Sequence, residues 1–101
     1  MNGQNFAFNG YLPIEKKDQI KKIKYLESIC KKTNQTQIFM ETPYRNNRLF
    51  NTIINVCNGN TKLCIASNIT QNNESIITKE IREWKTIKIN IDKQPTIFLI
   101  S

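Results

Sequence analysis

The segment 36–45 reads T-Q-I-F-M-E-T-P-Y-R, and it decides the fold because it places a strand directly before a helix. The three consecutive apolar residues at 38–40 are typical of a buried strand. Thr42 and Pro43 then mark a helix start, with the threonine oxygen as the cap and the proline at the first helical position. We expect this helix to cover residues 43–57 and to end at Asn58-Gly59-Asn60, with Gly59 as a left-handed cap.

The pattern on both sides of this segment extends the fold. A helix is predicted over about 14–32, because apolar residues recur there at steps of three and four. Strands are predicted over 62–67, 74–79 and 95–100, and a helical turn over 80–85 anchored by Trp84. The alternation of Ile87, Ile89 and Ile91 with polar residues suggests a short edge strand. Residues 1–13 read as an extended stretch that runs into a loop.

The order of these elements predicts an α/β fold. The central strand–helix–strand unit implies a right-handed parallel crossover, while the later strands are close enough in sequence to pair antiparallel. We therefore expect a mixed sheet of four to five strands with two main helices.

Composition bounds the chemistry. The 101 residues form one domain, and without histidine the chain offers no Ser-His, Cys-His or His-metal site. Three cysteines without a C-x-x-C pair indicate neither a zinc site nor a disulfide framework, so we expect no metal and a reduced, cytoplasmic setting. Three scattered glycines make no phosphate-binding loop, and no apolar run approaches the ~20 residues of a membrane span.

The net charge of +7 favours polyanionic partners, although a lysine-rich composition can also reflect an AT-rich genome. Several lysines of the first predicted helix fall on one arc opposite its apolar side: Lys17, Lys21, Lys24, Lys31 and Lys32. This arc is either an ordinary solvated face or a stripe that contacts phosphates.

Three segments together resemble the ribosomal RNA small subunit methyltransferase I family. Residues 6–13, F-A-F-N-G-Y-L-P, followed by Lys16 and Lys17, are similar to its F-x-F-x-G-F-L-P-x-K segment. Residues 38–45, I-F-M-E-T-P-Y-R, resemble its I-F-Y-E-S-P-H-R, and residues 63–70, L-C-I-A-S-N-I-T, stand where it has V-V-V-A-R-E-L-T. The resemblance spans the whole chain but only the carboxyl-terminal half of the family's length.

The resemblance implies a rRNA-processing transferase of the tetrapyrrole methylase superfamily, whose two α/β domains hold S-adenosyl-L-methionine between them. It implies methylation of a ribose 2′-hydroxyl in small-subunit (16S) rRNA. The domain division it implies is an interdomain, active-site loop at 1–13 and a carboxyl-terminal methylase domain at 14–101. Residues 1–4 would then match an internal position of a full-length relative, as in an internal start, a split gene or a degraded copy. An amino-terminal methylase half or a homodimer partner would complete the cofactor site, and we expect the chain to be inactive without an amino-terminal half.

The same resemblance assigns roles to eight residues. Met40, Ala66 and Thr96 are expected to line the cofactor cleft, although core packing alone also explains Met40 and Ala66. The residues expected at the substrate or RNA are Tyr11, Lys16, Lys17, Glu41 and Arg45. Glu41 and Arg45 could instead form only a mutual ion pair or simply lie exposed, and Thr42 could serve only as a cap. No catalytic base is assigned, because only Lys, Asp or Glu is available for the role.

The sequence also departs from the family pattern. Residues 67–71 read S-N-I-T-Q where the family has R-E-L-T-K, and Gln19 stands where an arginine is usual. Two other functions therefore stay open: a stand-alone basic RNA-binding module, and a non-functional remnant that exposes an apolar surface.

Overall fold

The computed structural model describes residues 5–101, so the expectation for residues 1–4 lies outside it. The strands are β1 (Phe6–Tyr11), β2 (Thr36–Met40), β3 (Lys62–Ser67), β4 (Ser75–Glu80) and β5 (Thr96–Ile100). The helices are α1 (Lys16–Thr33), α2 (Asn46–Val56) and α3 (Ile81–Trp84), and a 3-10 turn, Pro43–Arg45, precedes α2.

The five strands form one mixed sheet in the order β1-β2-β5-β3-β4. β1 pairs with β2 in parallel, and the other three pairings are antiparallel. The expected α/β class and mixed sheet are confirmed. In the central unit β2 and β3 run in the same direction, as the expected crossover requires, but the last strand, β5, lies between them.

All three helices pack on one face of the sheet, which we call the helix-covered face. One core cluster joins residues of each helix to Phe39, Leu63, Ile65, Phe98 and Ile100 of the strands. The rings of Phe39 and Phe98 stack with centroids 6.1 Å apart on neighbouring strands. No helix of residues 5–101 is long and apolar enough to cross a bilayer.

The opposite face, which we call the open face, carries two cross-strand rows of uncharged side chains. The inner row, read from β1 to β4, is Phe8, Ile38, Leu99, Cys64 and Thr78. The carboxyl row is Tyr11, Met40, Ile97, Ala66 and Ile76. Because strand residues alternate between faces, these rows point away from the helices.

The predicted strand at Ile87, Ile89 and Ile91 is wrong. Residues 85–95 form no strand, because side chains of α2 take their backbone groups. Asn46 Nδ2 donates to the carbonyls of Ile91, at 2.9 Å, and Gln94, at 2.7 Å. The Ile91 N–H donates to Asn47 Oδ1 at 2.8 Å. The three isoleucines still pack on the core as expected of apolar residues.

Two predicted caps also differ. Thr42 occupies the N-cap position, but its Oγ1 accepts a hydrogen bond from Arg45 Nη1 at 3.2 Å and caps no helical N–H. Gly59 does not have a positive φ, so it is not a left-handed cap. Helix α2 ends instead at Cys57, which is extended. The N–H of the next residue, Asn58, donates to Glu27 Oε2 at 2.8 Å. A carboxylate from another helix therefore takes over the role expected of the glycine.

Residues 6–11 are the edge strand of the sheet, which sharpens the expectation of an extended stretch at 1–13. Gly10 has φ +65°, a left-handed conformation that suits glycine, and the pairing shifts register between Phe8 and Tyr11. An interdomain role for this segment stays a prediction.

Candidate functional site

A cavity of about 270 Å³ opens at one edge of the sheet. At this edge the carboxyl ends of β2 and β3 meet the start of β5, which runs the opposite way. Ends of strands in open α/β sheets are where ligands bind. The lining residues are Tyr11, Met40, Glu41, Pro43, Ala66, Ile69, Gln71, Pro95, Thr96 and Ile97.

Five of the eight predicted site residues line this cavity. Tyr11, Met40 and Ala66 belong to the carboxyl row of the open face, so cross-strand pairing brings them side by side. Glu41 follows directly after β2, and Thr96 opens β5. Segments more than fifty residues apart in sequence thus meet at one cavity; the binding roles of these residues stay predictions.

Glu41 is the charged side chain at the cavity, and two hydrogen bonds and an ion pair fix its carboxylate. Oε1 accepts from its neighbour's N–H, that of Thr42, at 2.8 Å and lies 3.5 Å from Arg45 Nη1. Oε2 accepts from Gln19 Nε2 at 3.3 Å. The side chain of Glu41 is 3% exposed and that of Arg45 37%, so the guanidinium is the part of the pair that solvent reaches. Of the alternatives that the sequence left open for this pair, the structure therefore contains the ion pair, and Glu41 is not exposed.

Gln19 lies beneath this carboxylate, although it is one of the departures from the family pattern. Its Nε2 also donates to the Pro13 carbonyl at 3.1 Å, and its Oε1 finds no donor among residues 5–101. The side chain is 1% exposed. A buried acceptor without a partner costs about 1–3 kcal/mol, so this corner of the site is not optimised for stability.

The hydroxyl of Thr96 is already committed to the protein. The Thr96 O–H donates to the Gln94 carbonyl at 2.9 Å. The Ser67 hydroxyl lies 2.9 Å from the Thr96 oxygen, and it must be the donor of that second hydrogen bond because Thr96 has only one hydroxyl hydrogen. Asn68 adds a bond from Nδ2 to Gln94 Oε1 at 3.0 Å. These contacts fix the strand ends around the cavity, and they leave Thr96 no free hydrogen for a ligand.

The other three predicted residues lie outside the cavity. Lys16 borders a separate shallow groove between α1 and α2, together with Arg48, and Lys17 is exposed on α1. Arg45 reaches the site only through its contact with Glu41. The structure therefore separates the expected cationic contacts from the cavity.

Sequence reasoning missed half of the lining: Pro43, Ile69, Gln71, Pro95 and Ile97. Pro43 and Pro95 stand beside predicted strand or helix ends, a signal that could have included them. Ile69 and Gln71 lie on the 68–74 loop, where Asn68 and Thr70 both have positive φ. Nothing in the linear pattern shows that this loop folds over the end of β3.

Cys30 and Cys57 do not contribute to this site as nucleophiles. Burial raises the pKa of the Cys57 thiol, and the nearby Glu27 carboxylate raises that pKa further. Burial also raises the pKa of Cys30. Both thiols belong to the helix-covered side, and no cluster of metal-binding side chains occurs within the described range 5–101.

The fold is that of a segment of known methyltransferases. The methyltransferase CobJ superposes on 98% of this chain with a TM-score of 0.59 and 16% identity. CbiF, a cobalamin biosynthetic enzyme and cobalt precorrin-4 methyltransferase, superposes on 94% with a TM-score of 0.54 and 11% identity. At these identities the likeness shows the fold alone. No protein-family model and no curated protein matches the sequence.

The chain spans only about two fifths of these structures, 41% of CobJ and 40% of CbiF. The fold expected from the sequence is thereby confirmed, since both methyltransferases share it.

Proposed function

We propose that this chain forms one wall of an S-adenosyl-L-methionine site in a methyltransferase. The opposite wall would come from the domain that corresponds to the remaining three fifths of the structural neighbours, on this chain or another. The single observation that carries the proposal is the convergence of Tyr11, Met40, Glu41, Ala66 and Thr96 on one cavity at the strand ends.

The size and lining of the cavity support a shared site. Ligand pockets usually enclose about 300–1,000 Å³, with apolar walls and few polar groups. The cavity here has about 270 Å³, just below that range, as expected of a partial pocket. Ala66 lies in its wall with no side chain beyond Cβ, so a flat adenine ring could approach the β3 backbone.

Methyl transfer from a sulfonium to a hydroxyl is an in-line displacement, in which positioning and water exclusion supply much of the rate. The cofactor would supply the methyl group and leave as the thioether. In this scheme Glu41 orients a ligand. Its carboxylate is held in one position, because each oxygen accepts a hydrogen bond from the protein. The proton of the hydroxyl would pass to a base, and no residue is assigned that role.

The substrate proposed is a ribose 2′-hydroxyl of small-subunit rRNA, as the resemblance to the rRNA methyltransferase family implies. The exposed lysines of α1 support an RNA partner. The helix begins beside Glu41, so an RNA strand bound along these lysines would have one end near the cavity. Lys16 and Lys17, at the start of that helix, would contact phosphates nearest the site. Three buried free thiols suit the reducing cytoplasm as the place of action.

The test is calorimetric titration of S-adenosyl-L-methionine into the chain, alone and with an amino-terminal methylase domain supplied separately. We expect binding to strengthen in the presence of that domain. Ala66→Leu, which fills the cavity, should weaken binding at least about tenfold. Thr78→Leu, on the next strand of the same face but outside the cavity, should change it less than about twofold. Absence of binding in both arms, or equal loss in both variants, would contradict the proposal.

The lysines of α1 also support a second candidate, a basic RNA-binding module without catalysis. Filter binding to rRNA at two salt concentrations tests it, because lysines that neutralise phosphates release counterions and added salt then lowers the affinity. Salt-dependent RNA binding by a chain that binds no S-adenosyl-L-methionine in either arm would favour this candidate. RNA affinity that ignores salt would exclude it.

A further inference from the structure

The groove between α1 and α2 shares no lining residue with the cavity at the strand ends. Its volume is about 460 Å³. The residues that line it are Lys16 and Ile20 of α1, and Arg48, Asn51, Thr52, Asn55 and Val56 of α2. Steps of three and four residues separate them along each helix, so each set lies on one side of its helix. The groove therefore follows α2 for about two turns, and no acidic residue lines it.

Arg48 is an arginine without an acidic partner among residues 5–101. The other two arginines of the chain, Arg45 and Arg82, each pair with a glutamate. Arg48 Nη2 instead donates to the Ile14 carbonyl at 3.3 Å, which holds the guanidinium beside the start of α1. A guanidinium has five N–H donors, and this bond uses one of them. The remaining donors are available to a ligand in the groove.

Lys16 brings a second positive charge to the same groove, and it too forms no ion pair with the described part of the chain. Glu15 and Asp18, the acidic residues nearest to it in sequence, do not line the groove. Two cations at one groove repel each other, and a bound anion would offset that repulsion. The planar guanidinium matches two oxygens of a phosphate, and the ammonium binds as a point charge. The groove therefore has the charge and the donors of a phosphate site.

Asn51 and Asn55 distinguish this groove from a plain cationic surface. Both are exposed, and within residues 5–101 neither side chain forms a hydrogen bond. A carboxamide can donate to a phosphate oxygen and can also accept from a hydroxyl, whereas Lys and Arg can only donate. The 2′-hydroxyl is the group by which a protein tells RNA from DNA. The amides therefore suit the ribose of an RNA strand.

We propose that the groove between α1 and α2 is a docking site for an RNA strand, separate from the S-adenosyl-L-methionine cavity. Arg48 and Lys16 bind backbone phosphates, and Asn51 and Asn55 bind ribose 2′-hydroxyls. The inference rests on the proposed function for RNA as the partner, while the groove itself is defined by its own contacts. Its role would be to hold the substrate while another nucleotide of the same strand enters the cavity.

Hydrogen bonds link one end of the groove to the cavity, which supports this role. Arg48 contacts the Ile14 carbonyl, and the preceding carbonyl, that of Pro13, accepts from Gln19 Nε2 at 3.1 Å. The same Nε2 donates to Glu41 Oε2 at 3.3 Å, and Glu41 lines the cavity. An RNA strand that leaves the groove at this end is therefore close to the cavity.

The test is fluorescence anisotropy of a labelled single-stranded RNA of about 12 nucleotides, a length that single-strand-binding surfaces cover. Arg48→Ala should weaken binding about tenfold. It should also reduce the slope of log affinity against log salt by about 0.7, the value of one phosphate contact on a single strand. Arg48→Lys keeps the charge but loses the planar donors, so its affinity should lie between the two.

The matched control is Arg82→Ala. It removes the same charge from an exposed arginine of α3 that does not line the groove, and it should change RNA affinity less than about twofold. Circular dichroism establishes that each variant folds, which is expected because both arginines are exposed and alanine favours helix.

A second comparison tests the amides. The chain should bind the RNA at least about threefold more tightly than DNA of the same sequence, since DNA lacks the 2′-hydroxyl. Asn51→Ala should narrow this preference while it changes the affinity for DNA less than about twofold. Asn58→Ala, at an exposed asparagine beyond the end of α2 and outside the groove, should leave the preference unchanged.

The groove and the cofactor site can fail separately. Arg48→Ala should leave S-adenosyl-L-methionine binding unchanged in the calorimetric titration, because Arg48 does not line the cavity. Loss of RNA affinity in Arg48→Ala, in a chain that binds no S-adenosyl-L-methionine in either arm, would support the groove and contradict the proposed function.

Three results would overturn the docking site. The first is an equal loss of RNA affinity in Arg48→Ala and Arg82→Ala, which would show that RNA responds only to net charge. The second is heparin binding as tight as RNA binding, which would show that the groove accepts any polyanion. The third is equal affinity of the unaltered chain for RNA and DNA, which would remove the role of the amides.

Discussion

On the helix-covered face of the sheet Phe39 and Phe98 are 0% exposed, whereas on the open face Phe6 and Phe8 are 55% and 62% exposed. The four residues are the same amino acid on strands of one sheet. What separates them is which side of the alternation each occupies, since all three helices lie on one side. Burial of a phenylalanine side chain contributes about 1.5–3 kcal/mol, and the open-face rings gain little of it.

The difference in exposure indicates that the two faces of the sheet have different roles. The helix-covered face holds the fold together, and the open face, with the cavity at its carboxyl row, is free to contact ligands or partners. This division can be tested by comparing matched substitutions on the two sides.

The largest effect is expected from Phe98→Ala. Truncation of this fully buried ring, which stacks on Phe39, should lower the free energy of unfolding by about 3–5 kcal/mol. Phe8→Ala should lower it by less than about 1 kcal/mol, because Phe8 is 62% exposed. Urea unfolding followed by circular dichroism measures both. Equal losses would show that the open face is part of the core.

An effect of intermediate size is expected from a comparison of two carboxylates, one buried and one exposed. Glu27 is a buried residue of α1 that lies beside the end of α2. Its carboxylate accepts hydrogen bonds from the Asn58 N–H at 2.8 Å and from the Thr61 hydroxyl at 2.6 Å. Glu27→Ala leaves two donors without a partner and should cost about 1–3 kcal/mol. Glu74 also accepts a backbone N–H, that of Thr70 at 2.9 Å, but it is exposed, so water replaces it. Glu74→Ala should cost less than about 0.5 kcal/mol in the same urea titration.

The sequence was sufficient for features that depend on neighbouring residues. The strands at 36–40, 62–67 and 96–100 follow from local apolar runs, and α1 follows from its three- and four-residue steps. The failures have a common physical cause. The strand predicted at 87–91 and the glycine cap at Gly59 were displaced by side chains far away in sequence, Asn47 and Glu27.

The candidate site shows the same limit. Glu41 and Met40 could be placed at a strand end from the 36–45 segment alone. Their neighbours Ile97 and Tyr11 come from strands whose places in the sheet no local pattern fixes, because β5 inserts between β2 and β3. The resemblance to a family supplied Ala66 and Thr96, which periodicity alone would have left as ordinary strand residues.

The smallest effect is the pH dependence conferred by Cys57, which lies on the helix-covered side. Burial and the Glu27 carboxylate raise its pKa above the ordinary 9.0, so the folded chain holds this proton more tightly than the unfolded chain does. Below pH 9 the thiol is protonated in both states and its contribution is fully present. As the pH rises beyond 9, only the unfolded thiol ionises, and stability falls by up to about 1.4 kcal/mol for each pH unit.

We therefore expect the stability difference between wild type and Cys57→Ala to shrink by about 1 kcal/mol between pH 8 and pH 10. All other groups are common to both proteins, so their contributions cancel in the difference. The measurement is urea unfolding of both proteins at the two pH values. A difference that stays constant would mean that water reaches Cys57 in the folded state. The helix layer would then seal its side of the sheet less completely than the buried phenylalanines indicate, and the contrast between the two faces would be one of degree.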